Sequence, residues 1–454
     1  MNKSNESRNS RGYVPYVTLL CFLLFVVALA ARMIELVRSG NWQDPEFQGM
    51  EEVTIAQNLA AGRGFITPVQ PADRIIEQPS AYASPGYPYL LAIILKITGK
   101  ISPDPILPYR IGFIINAIIG ALAVVILAVS ARGRFGWVGF GWVGLLTAFW
   151  PTLIKGEMRL WDTAFGLLAV AVGVALIISR ESRGRSLARW ILVGMLCGLL
   201  TLFNPITAPF LAMALLIDSL RMDGRRRALS GLMLAGMVWA LCLMPWMVRN
   251  AVVFHRFIPI RNTFGYTLWV GNLPDVDGTI DKVYSHSPFD NPALREEFWA
   301  MGEDAYMQEK QRQALKQIRE DPSRFVGNCV QRIRLYWLGN ISRPSQIFKI
   351  TFPMTFGVNL LKAIINSLLL VLAVLGSFLW KGSPAIKWGC WFGILSMSLP
   401  YCITHVSPFY RALIDSILIT LSAAFAARIF GWKQPCGESG CAKIINKTKS
   451  IADN

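Results

Sequence analysis

Residues 50–65 read MEEVTIAQNLAAGRGF, and residues 79–89 read PSAYASPGYPY. Both lie in a polar stretch, 41–89, that follows the first long apolar run and holds the carboxylates Asp44, Glu46, Glu51 and Glu52. A connector of this length with glycine hinges and a proline-aromatic exit is characteristic of a functional loop rather than a plain link between helices.

The rest of the chain makes that loop a membrane-surface feature. Of 454 residues, 53% are hydrophobic and 16% charged, with a mean hydropathy of +0.42. A soluble chain carries about a quarter charged residues, and apolar runs of spanning length recur here. The composition therefore predicts an all-α polytopic membrane protein. The net charge of +17 is accounted for by loop lysines and arginines that set orientation, so no nucleic-acid partner is expected. The eight cysteines lie mostly alone or inside apolar runs. Cys436 and Cys441 lack a second pair, and the three histidines are scattered, so neither a zinc nor a histidine metal site is expected. The first apolar run is too long for a cleaved leader.

Lys3, Arg8 and Arg11 place residues 1–14 in the cytoplasm. Spans are then expected at 15–37, 110–130, 135–154, 162–178, 190–203, 206–220 and 228–248. Residues 85–99 are apolar but too short to cross, and read as a juxtamembrane helix anchored by Tyr87 and Tyr89. Placing this segment in the interface puts every arginine-rich short loop on the cytoplasmic side. Residues 15–248 thus form an N-terminal transmembrane module with outer loops at 38–109 and 155–162. Residues 249–355 are a mainly helical extracytoplasmic segment, interrupted at Asp321-Pro322. Three spans follow within 356–430 (356–380, 385–405 and 408–430), then a cytoplasmic tail, 431–454. About ten spans result.

Under this topology the outer side collects the unusual polar residues: Glu51 and Glu52, then Glu157, Arg159 and Asp162, then Arg249, Asn250, Arg256 and Arg261, and finally His405, Tyr410 and Arg411. Ionisable groups at a membrane boundary are costly unless paired or solvated, and mark function by default. Carboxylates opposed by arginines suit a reaction with a general base and an anionic leaving group, and the planar guanidinium suits a phosphate. Plainer roles stand beside these. Glu52 fits a solvated helix face, Arg256 an orientation or lipid-headgroup contact, and Asp162 a cap for the span it precedes. A divalent cation held by carboxylates stays open.

At these residues the chain resembles the GT-C superfamily of integral-membrane glycosyltransferases, in the branch related to protein O-mannosyltransferases and bacterial aminoarabinose transferases. The matching elements are Glu51, Ile55-Ala56-Gln57-Asn58-Leu59, Gly62-Arg63-Gly64-Phe65, Pro79-Ser80-Ala81 with Pro85-Gly86-Tyr87-Pro88, Trp161-Asp162-Thr163, Pro245-Trp246-Met247-Val248-Arg249-Asn250 with Arg261, Gly265 and Gly271-Asn272, and Tyr410-Arg411. Many members carry Asp-Glu or Asp-x-x-Glu at the first loop. Gln48 and Gly49 stand here instead, which moves the base to Glu51 and leaves Asp44 and Glu46 as lesser candidates.

The resemblance implies a GT-C fold and transfer of a sugar from a polyprenyl-phosphate donor to a glycan, glycolipid or protein acceptor on the extracytoplasmic face of a bacterial inner membrane. It implies Glu51 and Asp162 as catalytic groups, and Arg249, Arg261 and Arg411 as ligands of the donor phosphate. Glu52, Asn58, Tyr87 and Asn250 would hold the acceptor or the loops, with no cofactor required. A transporter or flippase for a lipid-linked sugar is the alternative. It would favour paired broken helices and internal symmetry, whereas the chain shows one break, Asn204-Pro205, and no repeat.

Overall fold

A computed structural model describes residues 3–44, 50–178, 186–222, 224–276, 283, 285–339, 356–407 and 409–431. Glu46, Gln48, Gly49, the arginines of 180–185, Cys436, Cys441 and the tail beyond 431 lie outside the described residues. Among those described, the chain is helical throughout, with one isolated antiparallel bridge between Ile66 and Pro79.

In the N-terminal half, α1 is Lys3–Arg38, α2 Met50–Ala60, α3 Gly86–Thr98, α4 Leu107–Phe149, α5 Pro151–Glu157, α6 Thr163–Ile178, α7 Leu187–Phe203, α8 Ala208–Ser219 and α9 Arg225–Phe254. After these come α10 Phe264–Gly271, α11 Pro292–Met301, α12 Glu303–Glu320, α13 Pro322–Leu338, α14 Phe356–Leu379, α15 Pro384–Ile403 and α16 Ala412–Ile429. Five of the helices among the described residues are long and apolar enough to cross a membrane, namely α1, α4, α9, α14 and α16, and the chain is a multi-pass membrane protein.

The 43 residues of α4 would run about 64 Å if straight, twice the ~30 Å of a hydrocarbon core. They do not run straight. Gly136 takes φ 64°, ψ −156°, a conformation open to glycine and barred to most side chains. The two halves fold back on each other: a Cβ built at Gly144 would lie 3.2 Å from the Cβ of Ala128, and Ala148 shares a buried cluster with Ala121. The spans expected at 110–130 and 135–154 are thus two arms of one hairpin with almost no connecting loop.

Helices α6 and α16 sit at the centre. On α16, Ile414, Ile417, Leu418 and Leu421 are all fully buried. Helices α1, α9 and α14 are peripheral and present apolar side chains outward, among them Phe22, Met237 and Leu368. Helices α7 and α9 approach closely because Gly194 and Gly231 leave no side chain between them; a Cβ at either would collide with Ala235 or the Trp190 ring. An ion pair lies wholly inside the bundle. Arg32 of α1 meets Glu157 of α5 at 2.7 Å, with both side chains fully buried, and Gly120 of α4 leaves the space they fill.

Helix α3, 13 residues or about 20 Å, is too short to span. It packs on α2 and α4 and exposes Tyr89, Ile93 and Ile97 at four-residue spacing, an apolar stripe suited to lipid. Helices α10 to α13 form a second small core around Tyr266, Trp269, Phe298, Tyr306 and Met307, which takes in Val69 and Tyr82 from the first loop. The charged run from 291 is also split at Gly302, φ 78°. Asn291 caps α11 by accepting from Ala293 N and Leu294 N. Asp321 caps α13 by accepting from Arg324 N at 2.9 Å.

Candidate active site

Helix α2 is amphipathic: Val53, Ile55 and Ala56 are buried, while the first turn offers Glu51 and Glu52. Gly62 and Gly64, at φ 81° and 87°, turn the chain out of the helix, and Asn58 accepts from Arg63 Nη1 at 3.1 Å to hold that turn. Gln57 Nε2 donates to Tyr109 Oη at 2.8 Å, tying the exposed side of α2 to α4.

A second set of bonds brings Asp162 to the same place. Asn116, buried in α4, donates through Nδ2 to Tyr87 Oη at 3.1 Å and to Arg159 O at 2.7 Å. Asn41 Nδ2 reaches Met158 O at 2.8 Å. The connection between α5 and α6 is thereby clamped against the first loop. Glu51, Glu52 and Asp162, all half-buried, form one electrostatic cluster with Arg261.

Burial sets the electrostatics of this cluster. It raises the Glu51 carboxyl above its ordinary value, against the opposing pull of its own backbone N–H and Arg261. Glu52 is pushed well up, first by burial and then by the neighbouring charges of Glu51 and Asp162. Its Oε2 is buried with no hydrogen-bond partner, so the solvated helix face suggested by the sequence is not what the fold builds. The Asp162 carboxyl rises to about 6 through burial, opposed by Arg261 and by the Asn204 amide. Three carboxylates facing one guanidinium oppose one another's ionisation, so the cluster holds its protons to higher pH than free carboxyls would.

Arg261 is exposed. Its Nε donates to Tyr82 O at 2.9 Å, and among the described residues its terminal nitrogens close no ion pair with the carboxylates. Tyrosines border the cluster, among them Tyr87, facing Glu52 and Asp162, and Tyr410, facing Glu51, Arg261, Asp162 and Glu52. Tyr410 is locked in place, with its ring stacked on Tyr401 at 4.1 Å and its hydroxyl 3.0 Å from His405 Nε2.

The other two arginines expected at the site have different surroundings. Arg249 donates to Ser80 O at 2.6 Å and Phe65 O at 3.1 Å, and lies over the Trp246 ring. Asn250 beside it is buried and donates to Ile258 O at 3.0 Å. Glu303 completes this staple: Ser80 Oγ and Ala81 N donate to its two oxygens, each at 2.6 Å, and burial lifts its carboxyl to about 7. The staple fixes the 79–82 segment from which Tyr82 holds Arg261. Arg411 is buried and pairs with Asp415 at 2.7 Å, whose other oxygen accepts from Trp150 Nε1 and Thr152 Oγ1. It also donates to Trp337 O and Asn366 O.

Asn204, Tyr401 and Glu303 were not singled out as site residues from sequence; the helix break at Asn204-Pro205 was the one signal that pointed to any of them. Among the described residues, no group of three His, Cys, Asp or Glu side chains is placed to hold a metal ion. Asp44 is exposed.

No protein-family model and no curated protein matches the chain. Among solved structures, the chain is similar to ArnT from Cupriavidus metallidurans bound to undecaprenyl phosphate, at 13% identity over 91% of this chain and 77% of that one, with a TM-score of 0.36. It is also similar to the Archaeoglobus fulgidus oligosaccharyltransferase in complex with Zn and sulfate, at 14% identity, 90% of this chain and a TM-score of 0.44. The chain spans 51% of the length of that oligosaccharyltransferase.

Proposed function

We propose that the chain is a GT-C-type membrane glycosyltransferase that moves a sugar from a polyprenyl-phosphate donor to an acceptor hydroxyl at the extracytoplasmic face of a bacterial inner membrane. The observation that carries this reading is the gathering of Glu51, Glu52 and Asp162 around an Arg261 whose terminal nitrogens are open. A base and a phosphate-binding cation on facing walls are what a single displacement at an anomeric carbon needs.

In that reaction the acceptor oxygen attacks the anomeric carbon as its proton passes to Glu51. The bond from that carbon to the phosphate oxygen breaks, and its electron pair leaves with the lipid phosphate, whose charge Arg261 meets with two parallel hydrogen bonds. Configuration inverts. Asp162 orients the acceptor. Glu52, whose ionisation burial and the charges of Glu51 and Asp162 oppose, lines the same wall with Tyr87. Asn58, Arg249 and Asn250 act by holding the loops. Arg411 acts through the wall behind Tyr410.

The test is incubation of the purified full chain with radiolabelled polyprenyl-phosphate sugars and membrane extract. Label should move to an acceptor, and Arg261→Ala should raise the donor KM or lower kcat while acceptor affinity holds. Label that crosses a vesicle membrane without changing its covalent attachment would replace this reading with transport.

A further inference from the structure

The break at Asn204-Pro205 is left without a role by the sequence, and nothing in the proposed reaction uses it. In the fold it separates α7 from a single 3-10 turn, Pro205–Thr207. Asn204 itself leaves helical geometry at φ −133°, ψ 90°. Its backbone is nevertheless secured: its N–H donates to Leu200 O at 2.9 Å, and its carbonyl accepts from Thr207 Oγ1 at 2.7 Å. The side chain is 8% exposed and points at the first turn of α6. Gly166 on that turn has no side chain, and a Cβ there would fall 2.9 Å from Asn204 Nδ2. The backbone N–H of Gly166 donates to Asp162 O at 2.9 Å, so the amide lies beside the turn that Asp162 begins. Asn204 Oδ1 is buried with no partner.

We propose that Asn204 is a positioning residue of the reaction centre: the helix break delivers its amide to Asp162, and the gap at Gly166 lets it in. The proposal rests on Asp162 belonging to that centre. A continuous helix would carry residue 204 past the site with its backbone groups satisfied internally; ending the helix at Phe203, two residues before the proline, frees the side chain to turn toward α6. An amide N–H donated to a carboxylate favours the charged form. That is the direction in which Asn204 acts on Asp162, alongside Arg261 and against burial. The other ionisable groups facing Asp162 are Glu52 from α2, Tyr87 from α3, Tyr401 from α15, and Tyr410. Of these, Glu52 is the one whose ionisation and that of Asp162 oppose each other.

Infrared titration of the detergent-solubilised full chain tests this without any substrate. The protonated-carboxyl band that disappears in Asp162→Asn reports Asp162, and its midpoint should lie near 6 in the unaltered chain. Loss of a hydrogen bond to a charged group in Asn204→Leu should move that midpoint up by about one to two pH units. Gly166→Ala, which keeps the amide but crowds it, should shift it the same way, and the two changes together should add little beyond the first. If Asn204→Leu is not recovered folded, Asn204→Gln and Gly166→Ala carry the test. A midpoint unmoved within a few tenths of a unit in every folded variant would overturn the proposal and make the break a packing feature. Failure to find any sugar transfer would sink the proposed function and leave this titration result standing.

Discussion

Two arginine–carboxylate groupings lie near one another and are built on opposite principles. Around Arg411 everything is closed. The guanidinium meets Asp415 at 2.7 Å and two backbone carbonyls, and Asp415 takes two more donors from Trp150 and Thr152. Around Arg261 everything is open: three half-buried carboxylates face one exposed guanidinium, and none closes an ion pair with it among the described residues. A buried charge with all its partners supplied holds a fold together. A surplus of carboxylates over cations is costly at rest, and on the proposed function it is relieved when an acceptor proton arrives. On the proposed function, the difference separates an arginine that stabilises from one that binds.

The contrast is broken most directly inside the open group. A positioned general base contributes about 10²–10⁴-fold to rate, so Glu51→Gln should remove that much turnover with the fold intact. Glu52→Gln should cost less than about tenfold, since the surroundings of Glu52 oppose its charged form and a neutral amide of the same shape replaces it with little loss. Side-by-side kcat measurements check this; equal losses in both would mean that the two glutamates act as one unit.

In the closed group the expected loss is of stability. Removing one partner of a buried ion pair costs about 3–5 kcal/mol, whereas replacing both with apolar groups is often neutral. Arg411→Met should therefore lower the unfolding midpoint in detergent sharply, and Arg411→Met with Asp415→Leu should recover most of it. If Arg411→Met instead unfolds normally and loses donor binding, Arg411 belongs with the open group.

The helical membrane architecture, and the residues that the fold gathers around Arg261, were legible because they rest on local signals. Apolar length marks spans, and the Glu51-Glu52 pair, Trp161-Asp162-Thr163 and Arg261 carry recognisable residue types at outer loops. What the sequence did not separate was Arg249 and Arg411 from Arg261. All three are arginines after a span, and their different fates depend on carbonyls and carboxylates distant in sequence: Ser80 and Phe65 for Arg249, Trp337 and Asn366 for Arg411. Glu52 was misread for the same reason, since helix position says which way a side chain points but not that Asp162 and Tyr87 will be folded over it. The hairpin in α4 was expected as two spans. Its abrupt turn at Gly136 depends on one backbone conformation that periodicity does not register.

A smaller pair of effects follows from pH. Glu51 is raised and Asp162 sits near 6, and a base works only when ionised. Transfer should therefore fall about tenfold per unit below an acidic limb that lies above the ordinary carboxylate range of about 4. A limb near 4 would mean that the carboxylates are individually solvated in the working enzyme. Glu303 gives the opposite sign in stability. Its carboxyl is at about 7 in the fold against 4.5 for the free group, so the folded state holds the extra proton and stability declines as pH rises from about 4.5 to 7. Glu303→Gln should flatten that slope in a pH series of unfolding midpoints while leaving the acidic limb of transfer in place.

The Arg32–Glu157 pair also bears on how the protein is made. The chain enters the membrane from its N-terminus, so the first span arrives carrying a guanidinium whose counter-ion has not yet been synthesised. Until α5 emerges, Arg32 has the carbonyl of Ala28 for company. An arginine at the centre of an isolated span costs about 2.5–3.5 kcal/mol on insertion, and less toward the ends. Helix α1 is thus an incomplete anchor that becomes secure once the α4 hairpin has entered and Glu157 follows it. Nascent chains truncated before Glu157 should be held at the insertion machinery or cleared, and chains truncated after α6 should be released into the bilayer.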